Sequence, residues 1–269
     1  MSDQTARTRI GIHGAAGRMG RRLVALGSED AQLDVVCAIE RDGHSDLGTD
    51  SGELAGFGNI GVPLTSEINV PLDALIDFST ADAVSAVVAK CVESETPLVL
   101  ATTGFSPEEQ NQITEASQRI PIVLSPNMSL AVNLTMKLAS LAAEKLTQYG
   151  PGADVEIIER HHRFKEDAPS GTALRFGELI SERMGQTQHT HGRRGRPGQR
   201  PADEIGYHAL RTGDNPGEHT IVFGLLGETI DLRVAATSRD CYAQGALAAA
   251  QWLVGKPPGL YGMSDVLGL

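Results

Sequence analysis

The chain has 269 residues, of which 41% are hydrophobic and 21% are charged, the composition of an ordinary globular protein able to bury a sizeable core. Its formal net charge of −11 excludes broad electrostatic attraction to nucleic acid or to an anionic membrane surface. Any anionic ligand must therefore be bound by a local cluster of basic groups.

The sequence has neither the pattern of a targeting segment nor that of a disulfide-rich protein. Residues 1–7 lack the apolar core of a signal peptide, and no run approaches the roughly 18 apolar residues of a membrane-spanning helix. The cysteines Cys37, Cys91 and Cys241 are far apart and lack the spacing of metal ligands. We expect three free thiols in a reducing cytoplasm.

The first half of the chain alternates between strands and helices. The predicted elements are a strand at 8–12, a helix at 18–26, a strand at 33–39, a mainly irregular segment at 47–65, a strand at 74–78, a helix at 81–92, a strand at 98–101, a helix at 107–118 and a strand at 120–124. Ser106 is the predicted N-cap of the last helix, with Pro107 at its first position. Strands separated by such helices pair in parallel, which predicts a doubly wound nucleotide-binding sheet of the α/β class.

After residue 133 the pattern changes to an α+β region, which indicates a second domain. The predicted elements are a long helix at 129–149 ending at Gly150-Pro151-Gly152, a strand at 155–159, a helix at 172–184, a polar loop at 186–200, two antiparallel strands at 220–226 and 229–236, and a last helix at 242–254. Crossover helices are few here, so a mixed rather than a parallel sheet is expected.

A glycine-rich turn lies between the first strand and the first helix. Its residues are Gly14, Ala15, Ala16, Gly17, Arg18, Met19 and Gly20. Glycines at this spacing permit a tight turn and a close approach of pyrophosphate to the backbone, and the N–H groups at the helix start face the phosphates. The strand–turn–helix context predicts a dinucleotide site.

An acidic residue ends the next predicted strand. Glu40 is placed to accept hydrogen bonds from the adenine ribose hydroxyls, whereas Arg41 and Arg18 could pair with a 2′-phosphate. Because both signs of charge are present, we expect the site to accept NADH or NADPH. Taken singly, Glu40 or Arg41 would be interpreted as part of a solvated turn.

Two further loops follow the carboxyl ends of predicted strands, the edge at which open α/β sheets bind ligands. They contain Ala101, Thr102 and Thr103 in the first loop, and Ser125, Pro126, Asn127 and Met128 in the second. Their small and polar residues suit the nicotinamide ribose and carboxamide. Without the dinucleotide turn, each would be equally well explained as a plain connecting loop.

The segment from Glu159 to Lys165 holds five basic side chains within six positions, in a chain with an acidic surplus. A solvated basic turn is the ordinary explanation for such a run. Two features favour chemistry instead. His161 and His162 are of the residue type whose ordinary pKa is nearest neutral pH, and the run Pro169-Ser170-Gly171-Thr172 opens a predicted helix whose N–H groups can hold a carboxylate. The combination suits a small substrate that carries carboxylates.

Metal binding is the alternative for these histidines. Adjacent residues of an extended segment point in opposite directions, and no carboxylate has ligand spacing to His161 and His162. The pair His189 and His191 could chelate a metal ion, but it lies in a polar loop and is better explained as solvated. We predict no metal site.

The motif Glu159-x-His161-His162-x-x-Lys165-x-Asp167-x-Pro169-Ser170-Gly171-Thr172-Ala173 resembles the signature of the bacterial dihydrodipicolinate reductase family, now called 4-hydroxy-tetrahydrodipicolinate reductases. Further motifs occur in the family's order: the Gly14–Gly20 turn, Asp77-Phe78-Ser79, Thr102-Thr103-Gly104-Phe105, Gly217-Glu218-His219-Thr220 and Ser238-Arg239. The resemblance covers essentially the whole chain.

The resemblance implies a Rossmann domain at residues 1–129, an inserted substrate-binding and tetramerisation domain at 130–239, and a C-terminal helix at 240–269 that returns to the first domain. The implied reaction is hydride transfer from NADH or NADPH to a cyclic imine dicarboxylate, with loss of a 4-hydroxyl group as water, on the diaminopimelate route to lysine. Members are usually homotetramers.

The resemblance also implies roles for single residues. His161 would donate or accept a proton, and Lys165 would be a second proton donor. The substrate carboxylates would be held by His162, Ser170, Gly171 and Thr172. The cofactor would be lined by Gly14, Ala15, Ala16, Gly17, Arg18, Met19, Glu40, Arg41, Ala101, Thr102, Thr103, Ser125, Pro126, Asn127 and Met128.

Two other functions are compatible with parts of the sequence. A different two-domain NAD(P) dehydrogenase would share the glycine-rich turn but has no reason to carry the His161-to-Thr172 motif. A nucleotide sensor that has lost catalysis would keep the turn while its reactive groups decayed, yet His161 and Lys165 are both present.

Overall fold

The protein is described from a computed structural model, which covers residues 6–148 and 152–269. The chain divides into two compact units. The first unit comprises the residues up to Leu130 together with Asp240–Leu269, and the second comprises Ala131–Arg239.

The first unit is built on a seven-stranded sheet. Its strands are β1 (Thr8–His13), β2 (Leu33–Ile39), β3 (Leu64–Thr65), β4 (Ala74–Asp77), β5 (Leu98–Leu100), β6 (Pro121–Leu124) and β12 (Gly259–Tyr261). Its helices are α1 (Arg18–Glu29), α2 (Ser51–Leu54), α3 (Val84–Glu93), α4 (Pro107–Ala116), α7 (Asp240–Leu253) and α8 (Met263–Leu267). The strands lie in the order β12-β6-β5-β4-β1-β2-β3, and every pair is parallel. The predicted doubly wound parallel sheet is confirmed.

Both faces of this sheet are covered, which explains why its strands are nearly continuous apolar runs. Ile10 and Ile12 pack with α1 and α7 on one face. Leu75 and Leu98 pack with α3 and α4 on the other face. The carboxyl ends of the strands are thereby left as the edge where loops can meet a ligand.

The helix at α4 begins as its sequence predicts. The Ser106 hydroxyl accepts a hydrogen bond from the Glu109 N–H, the Glu109 carboxylate accepts one from the Ser106 N–H, and Pro107 occupies the first turn. This reciprocal capping satisfies two N–H groups that have no partner within the helix.

The segment 47–65 is mainly irregular, as predicted, apart from α2 and the two-residue strand β3. Other details of the first unit differ from the prediction. The predicted helix at 81–92 begins with a 3₁₀ turn, Ala81–Ala83. Strand β12 was not predicted, since its three residues gain their strand geometry from parallel pairing with β6 rather than from a local pattern.

The second unit is a five-stranded mixed sheet with two helices. Its strands are β7 (Asp154–His161), β8 (Gln188–His191), β9 (Glu204–Arg211), β10 (Glu218–Leu225) and β11 (Glu228–Ala235), and its helices are α5 (Leu130–Leu146) and α6 (Gly171–Met184). In the order β11-β10-β7-β9-β8, strand β10 is antiparallel to β7 and β11, whereas β9 is parallel to β7 and β8. Buried Ile157, Phe176 and Phe223 belong to its core.

The predicted hairpin around Gly227-Glu228 is confirmed by the pairing of β10 with β11. The prediction of a loop over 186–200 is wrong in part, because it contains β8, and β9 was not predicted at all. The residues of β8 are polar and mostly exposed, so they show no alternation, and the strand exists because it pairs with β9. The predicted helix end at Tyr149, Gly150 and Pro151 lies outside the described residues.

The three cysteines form no disulfide: Cys37 and Cys91 are buried and Cys241 is half-buried. Burial raises the pKa of Cys91 to about 12, and the charge of Asp77 adds to the effect, so this thiol is unreactive near neutral pH. Within residues 6–148 and 152–269, no helix is long and apolar enough to cross a membrane.

Candidate active site

The glycine-rich turn of the first unit has no room for larger side chains. Gly14 has a φ of +77°, and a Cβ there would lie 2.8 Å from the carbonyl oxygen of Phe78. A Cβ on Gly20 would lie 2.1 Å from the carbonyl oxygen of Gly14, because α1 packs directly on the turn. Gly17 is the N-cap of α1 and has no side chain that could occupy the amide groups of the first turn. These amides are suited to phosphate oxygens.

The carboxylate of Glu40 lies against this turn. Its Oε2 accepts a hydrogen bond of 3.3 Å from the N–H of Ala16, and its Oε1 accepts one from the N–H of Arg41. A cavity of about 210 Å³ opens beside it; its lining residues include His13, Glu40, Arg41 and Lys90. The predicted acid and its basic neighbour thus lie at one cavity next to the phosphate turn.

The two other predicted cofactor loops leave the carboxyl ends of β5 and β6. Thr102 is buried, whereas Thr103 and Pro126 are exposed. The Ser125 hydroxyl donates to the carbonyl oxygen of Asn127, which makes the second loop a tight turn. The side chain of Met128 is only 2% exposed and packs in the core, so it does not face open space.

Helix α7 packs closely against the loop that follows β6. A Cβ on Gly245 would lie 1.8 Å from the carbonyl oxygen of Met128, so only glycine permits this approach. The last long helix of the chain therefore packs against a loop that was predicted to contact the cofactor.

In the second unit, Glu159 and His161 lie at alternate positions of β7 and so share one face of the sheet. His161 Nδ1 is 2.5 Å from Glu159 Oε2. Because an ionised carboxylate can only accept, Nδ1 carries the hydrogen and Nε2 is left as the reactive nitrogen.

Glu159 is held by two more groups. Arg211, at the end of β9, forms two hydrogen bonds of 2.8 Å to its carboxylate, and the N–H of Ser170 donates to Oε1 at 3.1 Å. Burial disfavours the charge of Glu159, but the hydrogen bonds from Arg211 and His161 outweigh burial and hold the pKa of Glu159 below its ordinary value. One carboxylate thus joins His161 to the start of α6.

His161 is poised as a neutral base. Burial lowers its pKa, and the charges of Lys165 and Arg211 lower it further, against the opposing effect of Glu159. Lys165 forms an ion pair of 2.8 Å with Asp167, and its side chain is 23% exposed. A neutral imidazole and an ammonium group therefore lie in the same segment, as a proton acceptor and a proton donor.

The predicted carboxylate-binding turn is the N-terminus of α6. Ser170 is the N-cap, and its hydroxyl accepts from the N–H of Ala173. The helix begins at Gly171, so the N–H groups of its first turn include those of Gly171 and Thr172. His162 follows β7, and its N–H donates to the carbonyl oxygen of Asn215. Among the described residues, no group bonds the buried Nδ1 of His162.

His219 is a third histidine beneath this turn, and its role was not predicted. Its Nε2 lies 3.1 Å from the Ser170 hydroxyl, and its ring makes an edge contact with that of His161. Burial lowers the pKa of His219 to about 4, and a proton on His161 lowers it further. The folded protein therefore holds this ring neutral.

We expect this buried ring to make the protein sensitive to acid. Between the ordinary histidine pKa of 6.5 and about 4, the unfolded chain binds a proton that the folded chain excludes, so stability falls as the pH is lowered. His219→Gln should remove about 2 kcal/mol of that loss between about pH 7 and about pH 4.5. Urea unfolding at both pH values measures the change in the free energy of unfolding. The control is His191→Gln, at an exposed histidine. If the free energy of unfolding fell equally with pH in both variants, the expectation would be contradicted.

The two arginines of the segment from Glu159 to Lys165 lie away from these groups. Arg160 is on the opposite face of β7 from His161 and pairs with Glu218, which also binds Arg233. Arg163 is exposed, with its guanidinium 6.0 Å from the ring centre of Phe164. Arg160 therefore supports the sheet, and Arg163 lies at the surface.

Sequence reasoning missed Arg211 and His219 as partners of the site, and it assigned no role to Asp77. His219 lies in a predicted motif, but nothing in the spacing indicates that it contacts Ser170, 49 positions away. Arg211 ends a strand that was not predicted. In the part of the chain that the structure describes, no group of three or more His, Cys, Asp or Glu side chains could hold a metal ion.

Two family models match the chain. Residues 8–128 match "Dihydrodipicolinate reductase, N-terminus" and residues 131–267 match "Dihydrodipicolinate reductase, C-terminus". The 4-hydroxy-tetrahydrodipicolinate reductase of Rhodopirellula baltica is 54% identical over 277 residues, covering 100% of this chain and 99% of the relative. That of Alkalilimnicola ehrlichii is 44% identical and covers 97% of this chain and 99% of the relative.

Solved structures agree with these relatives. A dipicolinate-bound dihydrodipicolinate reductase from a Paenisporosarcina species has a TM-score of 0.78 at 26% identity, covering 96% of this chain and 99% of that one. The amine dehydrogenase of Mycobacterium smegmatis, with a TM-score of 0.63 at 13% identity over 94% of each chain, shares the fold alone. The chain belongs to the dihydrodipicolinate reductase family, whose members are NAD(P)H-dependent oxidoreductases.

Proposed function

We propose that the protein reduces 4-hydroxy-tetrahydrodipicolinate to tetrahydrodipicolinate with NADH or NADPH, a step of the diaminopimelate route to lysine. The observation that carries the proposal is the arrangement around Glu159, which fixes both His161 and the Ser170 turn. A proton-transferring imidazole and an anion-binding helix start are thereby held by one carboxylate. The two relatives with this enzyme's name are similar over nearly their whole length.

The first unit suits a dinucleotide. Gly14 and Gly20 permit the tight turn, and Gly17 places no side chain over the amide groups that start α1. Glu40 and Arg41 line a cavity next to the turn that suits the adenosine end. The bound cofactor would supply the hydride. Both Glu40 and Arg41 are available, the first for ribose hydroxyls and the second for a 2′-phosphate, which supports use of either cofactor.

The second unit supplies the groups that move protons. Loss of water from the substrate needs one group that takes a proton from carbon and one that gives a proton to the departing hydroxyl. Neutral His161 suits the first task and the Lys165 ammonium the second. Once hydride has been added, the ring carries extra negative charge, which the imidazolium formed on His161 in the first step offsets by its charge and by returning the proton.

The substrate carboxylates would be held by His162 and the turn Ser170, Gly171 and Thr172. The N-terminus of α6 offers N–H groups and the positive end of the helix dipole, and no acidic residue occupies its first turn. The dipicolinate bound to the Paenisporosarcina reductase is a dicarboxylate of the same kind.

The proposal is tested with the purified protein and the fresh condensation product of pyruvate and aspartate semialdehyde. We expect oxidation of NADH and NADPH, followed by absorbance, and a rise in melting temperature on adding pyridine-2,6-dicarboxylate together with cofactor. A different dehydrogenase would bind cofactor without a response to the dicarboxylate. A nucleotide sensor would show no turnover, and either result would contradict the proposal.

We extend the proposal to a homotetramer in the cytoplasm. Ile158 and Leu210 are 39% and 44% exposed and lie on the face of the five-stranded sheet that faces away from its apolar core, which supports association through this sheet. The unpaired thiols are consistent with a reducing compartment. Light scattering of the purified protein tests the oligomeric state, and a monomer at micromolar concentration would contradict it.

A further inference from the structure

Asp77, at the carboxyl end of β4, is an acidic residue with no exposed surface. Three side chains bond its carboxylate, each at 2.6 Å. His13 Nδ1 and the Ser79 hydroxyl donate to Oδ1, and the Thr102 hydroxyl donates to Oδ2. A carboxylate has enough acceptor sites to bind the two hydroxyls and the ring N–H at the same time.

The three donors come from three different chain segments at one edge of the sheet. His13 is the last residue of β1, Ser79 follows β4, and Thr102 follows β5. The three strands are neighbours in the order β5-β4-β1, and all are parallel. Their carboxyl ends therefore meet where open α/β sheets bind ligands.

Stability alone is a weak reason for a buried charge at this place. Apolar side chains of similar volume usually pack at least as favourably as a buried charged group with its partners. What the carboxylate adds is orientation, because each donor is fixed by a short hydrogen bond. The residues that precede Asp77 in β4, Leu75 and Ile76, are apolar and provide no such constraint.

Two of the donors belong to different parts of the proposed cofactor site. His13 lines the cavity of about 210 Å³ that also contains Glu40 and Arg41. Thr102 lies in the loop after β5 that was predicted to contact the nicotinamide ribose. Asp77 thus connects a side chain on the adenosine side with one on the nicotinamide side.

We propose that Asp77 is a positioning residue for the dinucleotide, orienting Thr102 at the nicotinamide end and His13 at the adenosine end. The role rests on the proposed cofactor site. It makes the two ends separable by experiment, because NADH needs both, whereas ADP, which lacks the nicotinamide and its ribose, needs only the adenosine end.

Thr102→Val tests the nicotinamide side, since valine keeps the shape and removes the hydroxyl, which donates to Asp77 and leaves its oxygen to accept from the nicotinamide ribose or carboxamide. We expect the Kd for NADH to rise roughly three- to tenfold, as for the loss of one hydrogen bond, and the Kd for ADP to change less than about twofold. Thr102→Ser keeps the hydroxyl and should restore NADH affinity to within about twofold of the wild type.

The matched control is Thr96→Val, a buried threonine just before β5, at the opposite edge of the sheet, whose hydroxyl bonds Ser94. It should leave both dissociation constants unchanged. An equal loss of ADP and NADH affinity in Thr102→Val would overturn the assignment of Thr102 to the nicotinamide end.

Asp77→Asn releases both ends and should raise both dissociation constants, by roughly tenfold for NADH. Fluorescence titration with NADH and calorimetry with ADP measure them, at a temperature where circular dichroism shows the variant to be folded. A lower melting temperature with unchanged affinities in Asp77→Asn and Thr102→Val would reduce Asp77 to a structural residue and overturn the proposal. Absence of NADH binding in the wild type would instead contradict the proposed function itself.

Discussion

Replacing His161 by glutamine is expected to lower kcat about 100-fold or more, with the Kd for NADH unchanged, because general acid–base catalysis contributes roughly 10²- to 10⁴-fold. Glutamine can still donate a hydrogen bond toward Glu159, so the fold around β7 should persist, but it cannot exchange a proton near neutral pH. Lys165→Ala should cause a loss of similar size, since it removes the ammonium group beside the imidazole.

Steady-state kinetics with saturating cofactor, together with fluorescence titration of NADH, check this expectation. Lys145→Ala is the matched control: Lys145 also pairs with one neighbouring carboxylate, that of Glu144, but lies exposed on α5. It should leave kcat unchanged. A loss of NADH affinity that accounts for the whole loss of activity in His161→Gln would contradict a role in proton transfer.

Arg211→Met is expected to destabilise the protein by about 3 kcal/mol, the usual cost of removing one partner from a buried ion pair. Glu159 is 1% exposed, and Arg211 supplies two of the hydrogen bonds to its carboxylate. With Arg211 gone, the charge of Glu159 is compensated only by His161 and one backbone N–H. We also expect kcat to fall by at least about tenfold, since the carboxylate that orients His161 is no longer fixed.

Urea unfolding measures the first effect, and a double-mutant cycle sharpens it. Adding Glu159→Gln to Arg211→Met should recover part of the lost stability, because the double variant leaves no unpaired buried charge. Activity should not recover, since glutamine does not hold the imidazole as a carboxylate does. Arg175→Met, which breaks an exposed pair with Glu178 on α6, should leave the unfolding midpoint nearly unchanged. Additive losses in the cycle would show that Glu159 and Arg211 are not coupled.

Prediction from the sequence was most complete where function depends on neighbouring residues. The Gly14–Gly20 turn can be predicted because its glycines, the strand before it and the helix after it are contiguous in the sequence. The Ser170 cap and the helix that starts at Gly171 are likewise set by local propensity. The polar edge strand β8 could not be predicted, because its strand conformation comes from pairing with β9 rather than from its own residues.

The segment from Glu159 to Lys165 shows what cannot be predicted from neighbouring residues alone. The sequence placed His161 and Lys165 together but left the roles of Arg160 and Arg163 open. Strand alternation in β7 then separated Arg160 from His161 by placing them on opposite faces of the sheet. Placing both residues in the strand requires its exact end. Residue patterns predict strand ends only to within a few positions.

By itself, the sequence determined the parallel sheet, the dinucleotide turn and the chemical types of the groups in the run from Glu159 to Thr172. Only the tertiary structure decided which distant residues hold the functional side chains in place. Arg211 is 52 positions from Glu159, and Thr102 is 25 positions from Asp77. Such contacts form because distant segments end at the same edge or face of a sheet, and no periodicity within either segment encodes the pairing.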